Sequence, residues 1–311
     1  MSHSPDPVFY APCPDRGFIR IAGDEAGAFL QGLLTANIDL IAAGHCAPGA
    51  LLTPQGRILH DMMIYHRAAC EDMDDCYIIE MALDGVADLF TRLRRYRLRR
   101  PIDIAVIDDL QLWICWGGDA DTGSDLTDRG FADPRHPTLG LRWFGPMDAK
   151  PPFVEIGVAG DVSDWHLRRI LAGVPEGPVD LTPERALMLE AGLDALGAVD
   201  FQKGCYVGQE VTARTHYRGL VKRRLVPLVI DATTAPLPDT DITLDGNIVA
   251  SSKTAASGKA GTACLALLKL SEIHHALETE APIMVGDAPA KLAIADWMHP
   301  LPKPARTDTG T

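Results

Sequence analysis

KGCYVGQEVTARTHYRGLVKRRLVPL, residues 203–228, is the densest unusual stretch of this 311-residue chain. Gly204 and Gly208 bracket Cys205-Tyr206, and Lys203 stands two residues before the thiol. A nearby cation and a glycine-permitted turn lower a thiol's pKa and expose it. A tight loop around an inert, buried cysteine suits the same residues. Behind the loop Lys222-Arg223-Arg224 form a basic cluster. From Leu225 onward short apolar runs alternate with Gly, Pro, Asp and Asn turns (231–241, 245–247, 257–258), which predicts a small all-β C-terminal unit.

Upstream, LMLEAGL at 187–193 places Glu190 near the end of a helix expected to start at Thr182-Pro183, with Thr as N-cap and Pro at N1, and to stop at Gly192. A carboxylate there faces the negative end of the helix dipole. Either it is a solvated surface glutamate, or it has a partner such as a cationic neighbour or a ligand with N–H donors, for instance an amino-pyrimidine edge. Residues 163–172 read as a short helix capped by Ser163, 102–107 and 111–116 as strands, and 117–137 as a mobile acidic, Gly/Pro-rich loop.

TRLRRYRLRR at 91–100 holds six arginines (Arg92, Arg94, Arg95, Arg97, Arg99, Arg100). They suit a phosphate, polyglutamate or tRNA contact, or equally a solvated helix end that complements the dipole. The helix carrying them should start near Asp84 and bury Val86, Leu89, Phe90, Leu93 and Tyr96. Before it come a strand at 76–81, a hairpin over 47–65 turning at Thr53-Pro54-Gln55-Gly56, a helix opened by Asp24, and a strand at 18–21.

Lys+Arg 29 against Asp+Glu 42 gives a net charge of −13, which excludes a dedicated nucleic-acid coat and leaves room only for a local basic patch. With 47% hydrophobic and 23% charged residues there is ample material for a globular core. The seven cysteines are scattered with no CxxC pair, which fits a reducing compartment. With no signal-like N-terminus and no long apolar run, the expected location is cytoplasmic, with no membrane partner. No GxGxxG, P-loop, GxSxG or His-x3-His spacing occurs, and no resident metal site is expected.

The 203–228 stretch resembles the signature of the YgfZ-type folate-binding proteins. These belong to the glycine-cleavage T-protein (aminomethyltransferase) superfamily and are related to mitochondrial iron–sulfur assembly factors. GDEAGAFLQGLLTANI at 23–38, LLTPQGRILHDMMIY at 51–65, LMLEAGLDALG at 187–197 and GTACLALLK at 261–269 resemble the family's other segments in the same order. The resemblance implies an α+β fold, a three-domain ring of ferredoxin-like α/β domains and a C-terminal small β-barrel. The expected divisions are 8–47 plus 151–218, 48–150, and 219–300, with a disordered tail at 301–311. It also implies tetrahydrofolate or a derivative as ligand, held through Glu190. The cysteine loop carries over to Lys203, Gly204, Cys205, Tyr206, Gly208, Gln209 and Glu210, and a basic folate contact to Arg223 or Arg224. Where T-proteins carry two aspartates in the hairpin, this chain has His60-Asp61. An imidazole can move protons near neutral pH but is not a permanent anion, which argues against a glycine-cleavage aminomethyltransferase.

The leading expectation is a monomeric, folate-binding accessory protein of iron–sulfur cluster assembly or repair. It would serve cluster enzymes that include tRNA-modifying ones, with Cys205 as the reactive or cluster-contacting thiol. Two rivals stand beside it. One is a folate-dependent one-carbon transferase or demethylase using His60 and Asp61. The other is a non-catalytic module docking tRNA or a client protein through the arginines.

Overall fold

The structure, a computed structural model, describes residues 7–69, 75–118 and 130–303. The first strands are β1 (Phe9–Cys13) and β2 (Arg16–Ala22), followed by helix α1 (Ala26–Gln31) and the hairpin β3 (Cys46–Leu52) and β4 (Ile58–Arg67). Strand β5 (Cys76–Ala82), helix α2 (Val86–Arg97) and β6 (Asp103–Ile107) complete an antiparallel sheet of order β3-β4-β5-β2-β6. Next come β7 (Leu110–Trp116), β8 (Phe131–Ala132), β9 (Leu141–Pro146) and β10 (Val158–Ala159), which pair with β1 in a second sheet ordered β10-β1-β7-β9-β8.

Both faces of the first sheet are covered, so its strands read as nearly unbroken apolar runs. Ile19 and Ile21 of β2 meet Phe29, Leu30, Leu89 and Leu93 of the two helices. Phe18, one residue before Ile19 and so on the opposite face of the pleat, joins Leu112, Ile114 and Phe144 of the second sheet. Because β2 pairs with β5 and β6, sheet pairing runs across the expected division at residues 47 and 48. The chain visits the second sheet once, builds the first, and returns.

Helix α3 (Val162–Leu171) leads through a turn-rich segment to α4 (Gln209–Arg218) and the C-terminal strands. These are β11 (Arg223–Ile230), β12 (Asp241–Leu244), β13 (Asn247–Gly258), β14 (Gly261–Lys269), β15 (Ile283–Val285) and β16 (Ala288–Leu292), with α5 (Leu270–Thr279) between β14 and β15. They close into a six-stranded barrel in which β16 returns to β11 through Leu228 opposite Leu292. Leu167 and Ile170 of α3 pack on its outer wall against Leu225, Ala256 and Leu265. The α+β class and the C-terminal barrel are therefore as the sequence indicates. Among the described residues no helix is long and apolar enough to cross a membrane.

Four local expectations change. Residues 182–192 form successive turns, not a helix, because Glu184 takes φ +60° and its N–H turns to Ile58 O at 2.7 Å, while Ile58 N–H donates to Ala186 O at 3.0 Å. The propensity of Thr-Pro for a helix start loses to these main-chain bonds with the hairpin. Helix α3 is capped by Asp161, whose carboxylate accepts from Ser163 N–H at 2.9 Å. Tyr96 lies outside the buried face of α2, which is Val86, Leu89 and Leu93. Of the 117–137 loop, 119–129 lie outside the described residues, but Phe131–Ala132 form β8 and Asp133 is buried. The expected tail falls mostly on 304–311, likewise outside them.

Candidate functional site

Cys205 sits on the loop between the turn segment and α4. Gly208 ends that loop as the N-cap of α4 at φ +82°, and a Cβ there would lie 2.5 Å from Thr53 O. Gly56, at φ +73° in the hairpin turn, meets it from the other side, within 3.2 Å of the same Cβ. The TPQG turn and the cysteine loop thus touch glycine to glycine, an approach no side chain permits. Lys203 braces the loop from within. Its ammonium is buried and donates to Leu34 O at 2.6 Å and to Ala36 O, just beyond α1. Burial lowers its pKa to about 8. Nζ lies 5.3 Å from the centroid of the buried Tyr206 ring. Gln209 and Glu210 form the first turn of α4, and a Cβ on Gly204 would meet nothing within 4 Å.

Among the described free cysteines, Cys13, Cys76, Cys115 and Cys264 are buried, Cys46 is intermediate and Cys205 is exposed. Burial pushes the thiols of Cys13 and Cys46 far up, and that of Cys264 to about 12, which keeps them protonated and inert.

Glu190 is held at the join between the turn segment and the barrel. Its carbonyl accepts from Leu225 N–H at 2.8 Å, so β11 fixes its backbone. Its carboxylate accepts from Arg223 Nε at 3.2 Å and Nη2 at 3.0 Å. The partner the sequence called for is therefore a guanidinium, and no helix dipole is involved. Beside the carboxylate lies a small cavity of about 160 Å³ with apolar walls from Leu187, Met188, Leu189, Val211 and Leu220. Arg224 points elsewhere: it is buried, donates to Leu189 O at 2.7 Å, and stacks on Trp297 at 5.7 Å.

His60 and Asp61 are adjacent on β4 and take different partners. His60 Nε2 lies 2.7 Å from Asp88 Oδ2, which also takes Arg92 Nε at 2.6 Å. Asp61 is buried and accepts from Gly177 N–H at 3.1 and 3.2 Å. Burial raises its pKa, and the charge of Arg16 works against that rise. Both residues line a cavity of about 320 Å³ reaching Pro178 and Glu184.

Sequence reasoning missed the electrostatic hub behind this cavity. Arg142 Nη2 donates to Glu80 at 2.7 Å, Nη1 to Asp133 at 2.9 Å, and Nε to Tyr65 Oη at 2.9 Å. Arg16 pairs with the other oxygen of Glu80. Arg135 bridges Asp133 at 2.7 Å and Glu176 at 2.9 Å. Arg169 donates to Asp180 at 2.8 Å, and Asp180 also accepts from Thr254 N–H of the barrel at 2.9 Å. Four arginines thus neutralise Glu80, Asp133, Glu176 and Asp180 and tie both sheets, α3 and the barrel together. Their positions follow no local spacing. The usable signal would have been the arginines and carboxylates embedded in apolar runs, as in CYIIEM and LGLRWF.

Sheet order, barrel and site together define a protein with the fold of the glycine-cleavage aminomethyltransferases. Aminomethyltransferase T of the glycine cleavage system from Bartonella henselae superposes with a TM-score of 0.70 at 15% identity, covering 93% of this chain and 85% of that one. Residues 222–300 match the family model "CAF17, C-terminal beta-barrel domain". The mouse protein "Iron-sulfur cluster assembly factor IBA57, mitochondrial" is 30% identical over 305 residues, 91% of this chain and 83% of its own length. The human one is 34% identical over 264 residues, 79% of this chain and 72% of its own length. The chain belongs to the IBA57 family. An IBA57 homolog from Pyricularia oryzae is 36% identical over 69% of this chain but only 56% of that protein, so the chain spans little more than half of such fungal relatives. The IBA57 relatives are all named as mitochondrial, which overturns the cytoplasmic expectation. Scattered cysteines indicate a reducing environment and do not distinguish one such compartment from another.

Proposed function

We propose that this protein is an accessory factor in iron–sulfur cluster assembly or repair, with the cluster as its cargo and Cys205 as the thiol that contacts it. The observation that carries the reading is the exposure of Cys205 on a braced loop while the other described thiols are buried or half-buried. The names of its relatives point the same way. The partners are then the cluster-assembly machinery or client cluster enzymes, tRNA-modifying ones among them.

The feature that supports tetrahydrofolate as a ligand class is the Glu190 carboxylate beside a small apolar-walled cavity, with Arg223 on its oxygens. A buried carboxylate beside apolar walls suits a flat amino-pyrimidine, and Glu190 together with Arg223 would hold it. Such a group, when bound, supplies one-carbon or redox chemistry of its own; the chain's residues bind and orient it. A second reading, a folate-dependent transferase, draws on the His60–Asp88 contact in the neighbouring cavity.

The test is complementation of a cell lacking its own factor, with cluster-enzyme activity as readout. Cys205→Ala should fold normally and fail to complement. Full complementation by Cys205→Ala would sink the cluster-contact reading. Full complementation by His60→Ala together with loss in Cys205→Ala would set the transferase aside.

A further inference from the structure

Beyond Arg92, which shares Asp88 with His60, the arginine-rich end of α2 takes no part in the site just described. Arg92 is engaged by Asp88 at 2.6 Å, Arg100 by Glu25 at 3.5 Å, and Arg97 donates to Ile102 O at 3.4 Å. Arg94, Arg95 and Arg99 are exposed and, among the described residues, have no carboxylate partner. Between them the chain turns at Leu98, with φ 53° and ψ −113°. That conformation suits glycine, and a leucine held there is strained. Yet the residue is leucine, and at 82% exposure it protrudes further than any other large hydrophobic residue described. Tyr96, beside it, is also exposed.

We propose that this tip docks on an anionic lipid surface, with Leu98 entering the acyl boundary and Tyr96 and the arginines without a carboxylate partner, among them Arg94 over the Phe90 ring at 5.5 Å, at the level of the headgroups. Basic residues flanking an aromatic and an aliphatic side chain are the composition of an interfacial anchor. Each arginine near an anionic leaflet adds attraction that salt screens. RNA would use the arginines and could stack on Tyr96, but its phosphate surface offers nothing to Leu98. An acidic protein would need a socket matched to one protruding side chain, whereas a bilayer deforms to accept it. The chain's net charge of −13 opposes unspecific approach to an anionic surface, so binding would have to come through a local basic patch such as this tip. The absence of a spanning helix bears on crossing, not on this kind of contact.

The experiment is co-sedimentation of the full chain with phosphatidylcholine vesicles, with and without about one third phosphatidylglycerol, in low and high salt. Binding is expected only to the anionic vesicles, weakening steeply with salt. Leu98→Gly should lower the partition coefficient about tenfold or more while relieving the backbone, so a fall in binding cannot be misread as unfolding. Replacing Arg94, Arg95 and Arg99 with Ser should abolish binding. Any one of three results would overturn the proposal: no sedimentation with anionic vesicles, equal sedimentation with neutral ones, or undiminished binding by Leu98→Gly. Tighter binding to a tRNA than to vesicles, indifferent to Leu98→Gly, would assign the arginines to nucleic acid instead.

Discussion

Arg223 clasps both oxygens of Glu190 across the seam between the turn segment and the first barrel strand, at 3.0 and 3.2 Å. The two ends of this pair are unequal: the Arg223 side chain is 45% exposed and that of Glu190 10%. Solvent screening of the arginine keeps the pair itself to about 1 kcal/mol or less. Removing Arg223, however, leaves a nearly buried carboxylate alone, at a cost of about 1–3 kcal/mol. Arg223→Met should therefore destabilise more than Glu190→Gln, as read by urea unfolding. If the proposed folate reading holds, calorimetry should show tetrahydrofolate binding to the wild type and none to Glu190→Ala. Binding retained in that variant would move the pterin elsewhere.

Gly208 should be the least replaceable residue of the cysteine loop. Gly208→Ala forces a Cβ to 2.5 Å from Thr53 O at a φ of +82°. A strained residue of this kind costs about 1–3 kcal/mol, before any shift of the hairpin turn. The expected result is a lower Tm and faster alkylation of Cys205 as the loop loosens. Gly204→Ala, whose Cβ meets nothing within 4 Å, is the matched control and should behave as wild type.

Arg142 holds three partners in the hub and is almost wholly buried. Arg142→Met would leave Glu80 and Asp133 short of a counter-charge, costing about 3–5 kcal/mol. Chemical denaturation should show that loss, and a change below about 1 kcal/mol would mean that the remaining arginines suffice.

Acid sensitivity follows from the same hub. Arg135 and Arg169 hold Glu176 well below its ordinary 4.5 despite its burial, and Glu80 and Asp133 are lowered too. A lowered folded-state pKa gives stability that is present above the unfolded value and lost as pH falls through the folded one. Stability should thus drop on acidification below about pH 4.5. Asp61 runs the other way: burial raises its pKa, so in the window just above 3.8 its protonation favours the fold. Urea midpoints across pH 2–6 should flatten at the acid end in Glu176→Gln and lose a small opposing rise in Asp61→Asn.

Much of this was legible in the chain. The apolar strand at 18–21, the TPQG hairpin, the helix after Asp84 and the turn-punctuated barrel strands follow from patterns two to four residues long. The segment at 182–192 was not, because its conformation is set by Ile58, more than a hundred residues away, and local preference for a helix is worth less than those main-chain bonds. Glu190 was singled out because of a helix dipole that the structure lacks, and the cation it meets, Arg223, comes from the first barrel strand. The hub was invisible since Arg16, Glu80, Arg142 and Asp180 converge only after the sheets form. Lys203 looked like an activating cation, and its real partners, the carbonyls at 34 and 36, have no sequence signature.

The interleaving of the two sheets has a consequence for synthesis. Strand β1, at residues 9–13, finds its neighbours only in 110–116 and 158–159, while β2, three residues later, is satisfied by 76–107. As the chain leaves the ribosome, the first sheet can close while its N-terminal neighbour still waits, with Ala11 and Cys13 unburied. For that interval the nascent chain carries β1 as an unpaired strand, the sort of edge that chaperones cover. A fusion placed just ahead of β1 would therefore sit against a strand that must wait for a partner about a hundred residues downstream.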